Sequence, residues 1–286
     1  MSGQKSGQLV ILLTAVLWSS SGLFVKILDW HPVVIASGRS YIAVIFLLIL
    51  RFIFKTPKGT TKNEPISLWV GAFAFSFTML SYVIAIRLTT AANAILLQYS
   101  APIWAAFLAW WLIKEKPRWE HWGALVFIIG GLALFFRDGL GFGGFWGDLL
   151  SIASGMTYGL YTVLLRKIKD SNPRDIMLLG HAISAFVGIP FIILYPPTLN
   201  FSSVAIIFYM GIIQIGLTSV LFVYGMKRVK AIQAMLITAI EPILNPVWVF
   251  LFVGEKPSLT ALMGGSIILA TVVASSIIGW RRVEHE

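Results

Sequence analysis

Ten runs of about 20 apolar residues follow one another along the chain, each set off by a short polar or basic segment. A helix of that length crosses the hydrocarbon of a bilayer, and a run that long has few other places to go. The runs are read at 8–26, 33–53, 66–86, 94–113, 119–136, 148–165, 176–195, 203–224, 231–252 and 258–280. Hydrophobic residues make up 58% of the chain and charged residues 12%, against about 45–50% and about 25% in soluble domains. Too few polar groups remain to cover a surface, so lipid must cover much of it. The first run lacks a small-residue cleavage site and is followed at once by a second, so it reads as a span rather than a signal peptide. The expected fold class is an all-α integral membrane protein of ten transmembrane helices.

The net charge of +10 raises the question of nucleic acid, and its distribution answers it. With the N-terminus in the cytoplasm, the inner segments hold Lys5; Arg51, Lys55, Lys58, Lys62; Lys114, Lys116, Arg118; Arg166, Lys167, Lys169, Arg174; Lys227, Arg228, Lys230; and Arg281, Arg282. The outer side holds Lys26, Arg87, Arg137 and Lys256. This asymmetry is the positive-inside pattern and predicts both termini in the cytoplasm. The basic surplus is then a topology signal with anionic lipid as its partner, and no nucleic-acid role is expected. The absence of cysteine removes disulfides, thiolate metal sites and cysteine nucleophiles.

The chain also repeats itself at an offset of 140 residues. "ILLQYSAPIWAAFLAWWLIKEKP" from Ile95 answers "MLITAIEPILNPVWVFLFVGEKP" from Met235, so Pro102 aligns with Pro242 and Glu115 with Glu255. "GQLVILLTAVLW" from Gly7 aligns with "GDLLSIASGMTY" from Gly147, and Thr78 falls on Thr218. The expected organisation is a first five-helix repeat over 1–138, a glycine-rich linker over 139–147 and a second repeat over 148–286. Five is odd, so the second repeat enters the membrane inverted. Inverted repeats suit alternating access, because two like halves in opposite orientation give two near-equivalent shapes, each open to one side.

The segments "AIRLTTAANAILLQYSAPIWAAFLAWWLIKEKPRWEHWGALVFIIGGLAL" and "GMKRVKAIQAMLITAIEPILNPVWVFLFVGEKPSLTALMGGSIILATVVA" resemble the EamA-type domain of the drug/metabolite transporter superfamily. Each has a short basic turn before a small-residue helix start, a mid-helix proline, an acidic-basic pair and a further helix. Lys116 and Lys256 stand where that family commonly has arginine. The resemblance implies secondary transport of small metabolites, and the aromatic-rich interior resembles exporters of amino acids of the YddG type. No enzyme activity and no cofactor or metal is expected. The expected partners are a small-molecule substrate and the lipid bilayer of the inner membrane. Protons are an open choice of coupling ion, and the chain is read as a monomer or weak homodimer.

Polar groups inside a span should face protein or water. Residues three or four apart share a helix face. Thr238, Glu241, Asn245 and Trp248 form one such stripe, and Gln214 and Thr218 another. Trp18 with Thr14 and Ser21, Tyr158 with Ser154 and Tyr161, Thr78 with Tyr82, and Gln98 complete the set, with His181 in the seventh span. Trp18, Arg39, Tyr82, Gln98, Tyr158, His181, Gln214, Thr218, Glu241, Asn245 and Trp248 are the candidate substrate-binding residues. Each hydroxyl has a plainer role, bonding back to its own helix. Three roles are open for Glu241: a protonatable coupling group, a partner for a substrate amine, or a structural acceptor. Arg39 either grips a carboxylate or extends to the outer surface. Pro102, Pro242 and Pro246 remove helical hydrogen bonds and are read as hinges. Together Arg39 and Glu241 would suit a zwitterion, provided that they are close.

A membrane-embedded enzyme would need paired acids or histidine clusters that no span holds. A drug or nucleotide-sugar carrier of the same fold, and a non-transporting sensor or scaffold, are the remaining alternatives.

Overall fold

The computed structural model describes residues 3–54, 64–89, 91–135, 137, 144–253 and 258–283. They form helices: α1 (Gly3–Ser19), α2 (Ser21–Ile27), α3 (Pro32–Ile53), α4 (Pro65–Leu88), α5 (Ala91–Gln98), α6 (Ala101–Ile113), α7 (Trp119–Phe135), α8 (Phe145–Lys167), α9 (Arg174–Leu194), α10 (Phe201–Tyr209), α11 (Thr218–Met226), α12 (Ala231–Thr238), α13 (Glu241–Val253) and α14 (Leu259–Val283). A π-helical segment over Met210–Leu217 joins α10 to α11. Among the described residues, six helical stretches are long and apolar enough to cross a membrane: Gly3–Val25, Pro32–Ile53, Pro65–Ala85, Asn93–Ile113, Arg174–Leu194 and Phe201–Met226. Shorter apolar helices lie at Trp119–Phe135, Ala231–Leu244 and Leu262–Ser275.

Two features decide where the core sits. α8 is rich in glycine, serine and threonine, and it is buried against α4 and α6. Gly155 and Gly159 permit that approach. A Cβ on Gly155 would stand 2.6 Å from the Gln98 carbonyl oxygen, and one on Gly159 would stand 2.8 Å from the Ala105 nitrogen. Small residues at this spacing let helix backbones touch, which is how helices associate where no hydrophobic drive exists between them. The outer faces are the reverse. Phe52 is 88% exposed and Val126 71%, a distribution that a soluble protein does not sustain and lipid does.

Around α8 the helices pair as α3 with α9, α7 with α14, α4 with α8 and α1 with α11. α4 also packs on α9, α3 on the π-helical segment, α6 on α8, and α1 on α12 and α13.

α8 begins at Phe145, inside the segment expected to be linker. Its first turn is fixed by Asp148, which accepts hydrogen bonds from Thr89 Oγ1 (2.6 Å) and Asn93 Nδ2 (3.3 Å). Gly144 (φ +90°) brings the chain against the Leu88 carbonyl, where a side chain would not fit. The rest of the glycine-rich stretch, 138–143, lies outside the described residues, as do Glu255, Lys256 and Pro257.

Candidate functional site

Two helices break at matched points. α5 ends at Gln98 and α6 starts at Ala101; α12 ends at Thr238 and α13 starts at Glu241. These positions differ by the repeat offset of 140. Pro102 and Pro242 therefore do not bend a continuous helix, as a mid-helix reading expects, whereas Pro246 does lie inside α13. Pro102 and Pro242 are each the second residue of a new helix, where the missing N–H has no intrahelical duty. What proline does take away is the partner of the carbonyl four residues back, Gln98 or Thr238. The Thr238 carbonyl is recovered by Tyr99 Oη, which donates to it at 3.2 Å.

The same hydroxyl lies 3.1 Å from Glu241 Oε2. Tyr99 is 5% exposed, so its phenol is committed to these two acceptors across the molecule. Glu241 is thus placed at a helix start, beside a tyrosine from the other half. Tyr158 and Tyr161 stack nearby, their ring centroids 5.3 Å apart. Tyr158 Oη is buried with no hydrogen-bond partner among the described residues.

Arg39 lies on α3 and turns inward rather than toward the surface. Its Nη1 is 3.5 Å from Ser21 Oγ and 3.5 Å from Gln214 Oε1. Gln214 sits in the π-helical segment and donates from Nε2 to Ser20 Oγ at 3.3 Å. The π-turn widens the helix by one residue per turn, a device that frequently marks functional positions. Gly211 in the same segment lets α3 approach, since a Cβ there would stand 2.5 Å from Ile42 Cβ. Arg39 and Glu241 stand on helices that approach one junction: Arg39 reaches Ser21, and Trp248, two turns beyond Glu241 on α13, reaches Ser19. No direct ion pair joins the two among the described residues.

The remaining candidates tie the halves together around this pair. Trp18 Nε1 donates to Thr218 Oγ1 at 2.9 Å, and its ring lies against Phe222. Trp248 Nε1 donates to Ser19 Oγ at 2.8 Å. Gln98 Nε2 donates to Ser154 Oγ at 2.8 Å, and Thr78 Oγ1 and Thr157 Oγ1 share a bond of 2.8 Å. His181 joins α9 to α11 beside them. It is buried, its Nε2 is 3.1 Å from Ser219 Oγ, and Phe75 meets its face edge-on at 4.7 Å. Asn245 and Pro246 are placed on α13, and their side chains lie outside the described residues.

The end of the bundle that carries most of the basic residues is closed by ion pairs. Arg166 Nε meets Glu115 Oε1 at 2.8 Å, while its Nη1 donates to the Met226 and Lys227 carbonyls at 3.0 and 2.9 Å. Arg51 pairs with Asp175 at 2.8 Å and Lys167 with Glu64 at 2.8 Å. Hydrogen bonds from Lys167 and then Ser67 hold the Glu64 carboxyl below the usual carboxylate range. Each pair joins a residue before 140 to one after it.

Tyr99 is the residue that helical-face sorting passes over. The signal was available: under the 140-residue offset Tyr99 faces Ala239, as Glu241 faces Ala101. Tyr99 and Glu241 are two of the unmatched polar positions of the twin elements, with Ser100 opposite Ile240 and Asn245 opposite Ala105, and these two meet.

Helices clad in exposed apolar residues, with polar groups turned inward, define an integral multi-pass membrane protein. The model of the EamA-like transporter family matches residues 5–137 and again 145–277, and the chain belongs to that family. An Archaeoglobus fulgidus protein described as an uncharacterized transporter is 29% identical, over 97% of each chain. The Salmonella typhimurium inner membrane transporter YicL is 23% identical over 99% of each. Human solute carrier family 35 member G1 is 24% identical over 96% of this chain and 80% of its own. A solved crystal structure superposes with a TM-score of 0.82, covering 96% of this chain and 98% of the other at 18% identity, which speaks for the fold alone.

Proposed function

We propose that this chain is a ten-span secondary transporter that exports amino acids, aromatic ones among them, from the cytoplasm by alternating access. It lies in the cytoplasmic membrane with both termini inside. Residues 1–138 and 148–286 are its inverted repeats. The helix pairings support that organisation, because most of the larger ones have a counterpart under the offset. The pairing α4 with α8 answers α11 with α1, α4 with α9 answers the π-helical segment with α3, and α5 and α6 with α8 answer α12 and α13 with α1. The pairs α3 with α9 and α7 with α14 answer themselves.

What supports the substrate class is one acidic and one basic side chain inside the spans, Glu241 on α13 and Arg39 on α3, on helices that both reach the α1–α2 junction through Trp248–Ser19 and Arg39–Ser21. A buried lone charge is costly. A zwitterion presents an ammonium to one and a carboxylate to the other. Trp18, Tyr82, Tyr158 and Trp248 supply aromatic surface for its side chain. Nucleotide-sugars or phosphorylated metabolites would call for more embedded cations than Arg39. The Pro102 and Pro242 breaks, with Pro246, are the hinges, since a helix already interrupted bends at low cost.

The test is flux of a panel of labelled amino acids into proteoliposomes, run with and without a proton gradient. The reading expects flux for aromatic amino acids, and gradient dependence decides whether protons are coupled. No flux for any amino acid would overturn the substrate class in favour of the drug or nucleotide-sugar alternatives.

A further inference from the structure

α7 and α14 cross tightly at one end and part at the other. Near the crossing, a Cβ on Gly264 would stand 2.4 Å from the Gly131 carbonyl oxygen, and one on Gly131 would stand 2.7 Å from Ile268. Two turns away the contact is gone: a Cβ on Gly123 would meet nothing within 4 Å among the described residues. The wedge between the helices is a groove of about 640 Å³, within the range of roughly 300–1,000 Å³ typical of small-molecule sites. Its walls are Gly123, Ala124, Phe127, Ala270, Ala274 and Ile278. Its mouth is polar, lined by Arg118, Glu120 and His121 from the start of α7 and Lys230 and Gln233 from the start of α12. Gln4 Nε2 donates to Gln233 Oε1 at 3.2 Å and closes one side.

We propose that this groove binds an anionic phospholipid, its phosphate at Arg118 and Lys230 and an acyl chain along the small-residue walls. Charge and shape both favour that occupant. The mouth carries two permanent cations against the single carboxylate of Glu120. Basic clusters where helices leave the hydrocarbon attract anionic headgroups. Beyond the mouth the lining is apolar on two helices that face outward, so the ligand must be charged at one end and apolar along its length. A soluble anion would leave the groove unfilled. A second groove of about 320 Å³ between α3, α9 and α11 also has arginines at its edge, Arg51 and Arg174. That groove has half the volume of the first.

The test is native mass spectrometry of the full chain, reconstituted in phosphatidylcholine vesicles with or without phosphatidylglycerol and then returned to detergent. The expected result is a retained phosphatidylglycerol adduct. It should fall by roughly tenfold or more in Arg118→Gln with Lys230→Gln, since each cation near a membrane surface strengthens anionic-lipid binding several-fold. It should fall as much in Gly123→Leu with Ala274→Leu, and survive in Arg118→Lys with Lys230→Arg. Phosphatidylcholine adducts should be equal throughout. Equal retention of both lipids, or an adduct unchanged in both loss variants, would overturn the proposal. So would a dimer mass that vanishes when the groove is filled, because the occupant would then be a second copy of the chain.

Discussion

The two broken helices are the same device carrying different chemistry. α5–α6 and α12–α13 stop and restart at positions related by the offset of 140, each with proline second in the new helix. The first break brings a tyrosine, Tyr99, where the second has Ala239; the second brings a glutamate, Glu241, where the first has Ala101. Hydroxyl and carboxylate meet at 3.1 Å. The repeat supplies a matched pair of helix breaks, and the departure from matching puts an interaction between them. A homodimer of identical halves would have to carry both groups twice.

Several substitutions would break or sharpen that contrast. Glu241→Gln removes the charge from the second break and leaves its shape. Flux should fall on the order of a hundredfold, as expected from losing a hydrogen-bonded charge worth about 3 kcal/mol, read in the proteoliposome assay at equal protein loading. Gly155→Ala probes how tightly the first break is packed. The added methyl would stand 2.6 Å from the Gln98 carbonyl oxygen, and overpacking of this kind costs about 1–3 kcal/mol. The corresponding residue against the second break is already Ala15. Thermal unfolding in detergent should show the loss for Gly155→Ala, and Ala15→Gly should not repair it.

Tyr99→Phe keeps the ring and removes the bonds to Thr238 and Glu241. About tenfold slower transport with near-normal thermal stability is expected, from a bond worth about 1.5 kcal/mol. Lys114 ends α6 in the left-handed region, with φ 58°, and its partner under the offset is Gly254. Lys114→Gly should therefore stabilise the first copy, by up to about 1 kcal/mol, visible as a raised unfolding temperature. The smallest effect concerns Glu64, whose carboxyl is held low by Lys167 and Ser67. A depressed carboxylate contributes stability above its unfolded pKa of about 4.3, and the contribution is lost as pH falls through the folded value. Both partners are partly exposed, at 42% and 34% of their side chains, so screening limits it to a few tenths of a kcal/mol. Comparing wild type and Glu64→Gln should show the full difference near pH 7, shrinking as pH falls below about 4.

Much of this was legible in the residues. Long apolar runs report helices because backbone groups in lipid have no other way to be satisfied. Glu241 and Arg39 stood out because an embedded charge needs a reason. The offset exposed both proline breaks. Three features were hidden for one physical cause: sorting by helical face assumes an unbroken period of about 3.6 residues. Tyr99 sits in a break, where its direction no longer follows from Ile95 or Gln98. The π-helical segment over Met210–Leu217 shifts Gln214 relative to Thr218. α1 ends at Ser19 and α2 starts at Ser21, so Ser19, Ser20 and Ser21 reach Trp248, Gln214 and Arg39 respectively. None of these follows from composition, because serine and glutamine suit many local geometries.

The central claim is that Glu241 and Arg39 bind the two ends of one zwitterion. Competition against labelled phenylalanine in counterflow tests it most directly, with unlabelled phenylalanine, 2-phenylethylamine and 3-phenylpropanoate as competitors. Phenylalanine should compete at least about tenfold better than either fragment, with Glu241→Gln erasing its advantage over the acid and Arg39→Gln its advantage over the amine. Equal competition by all three, or loss of the same advantage in both variants, would contradict it.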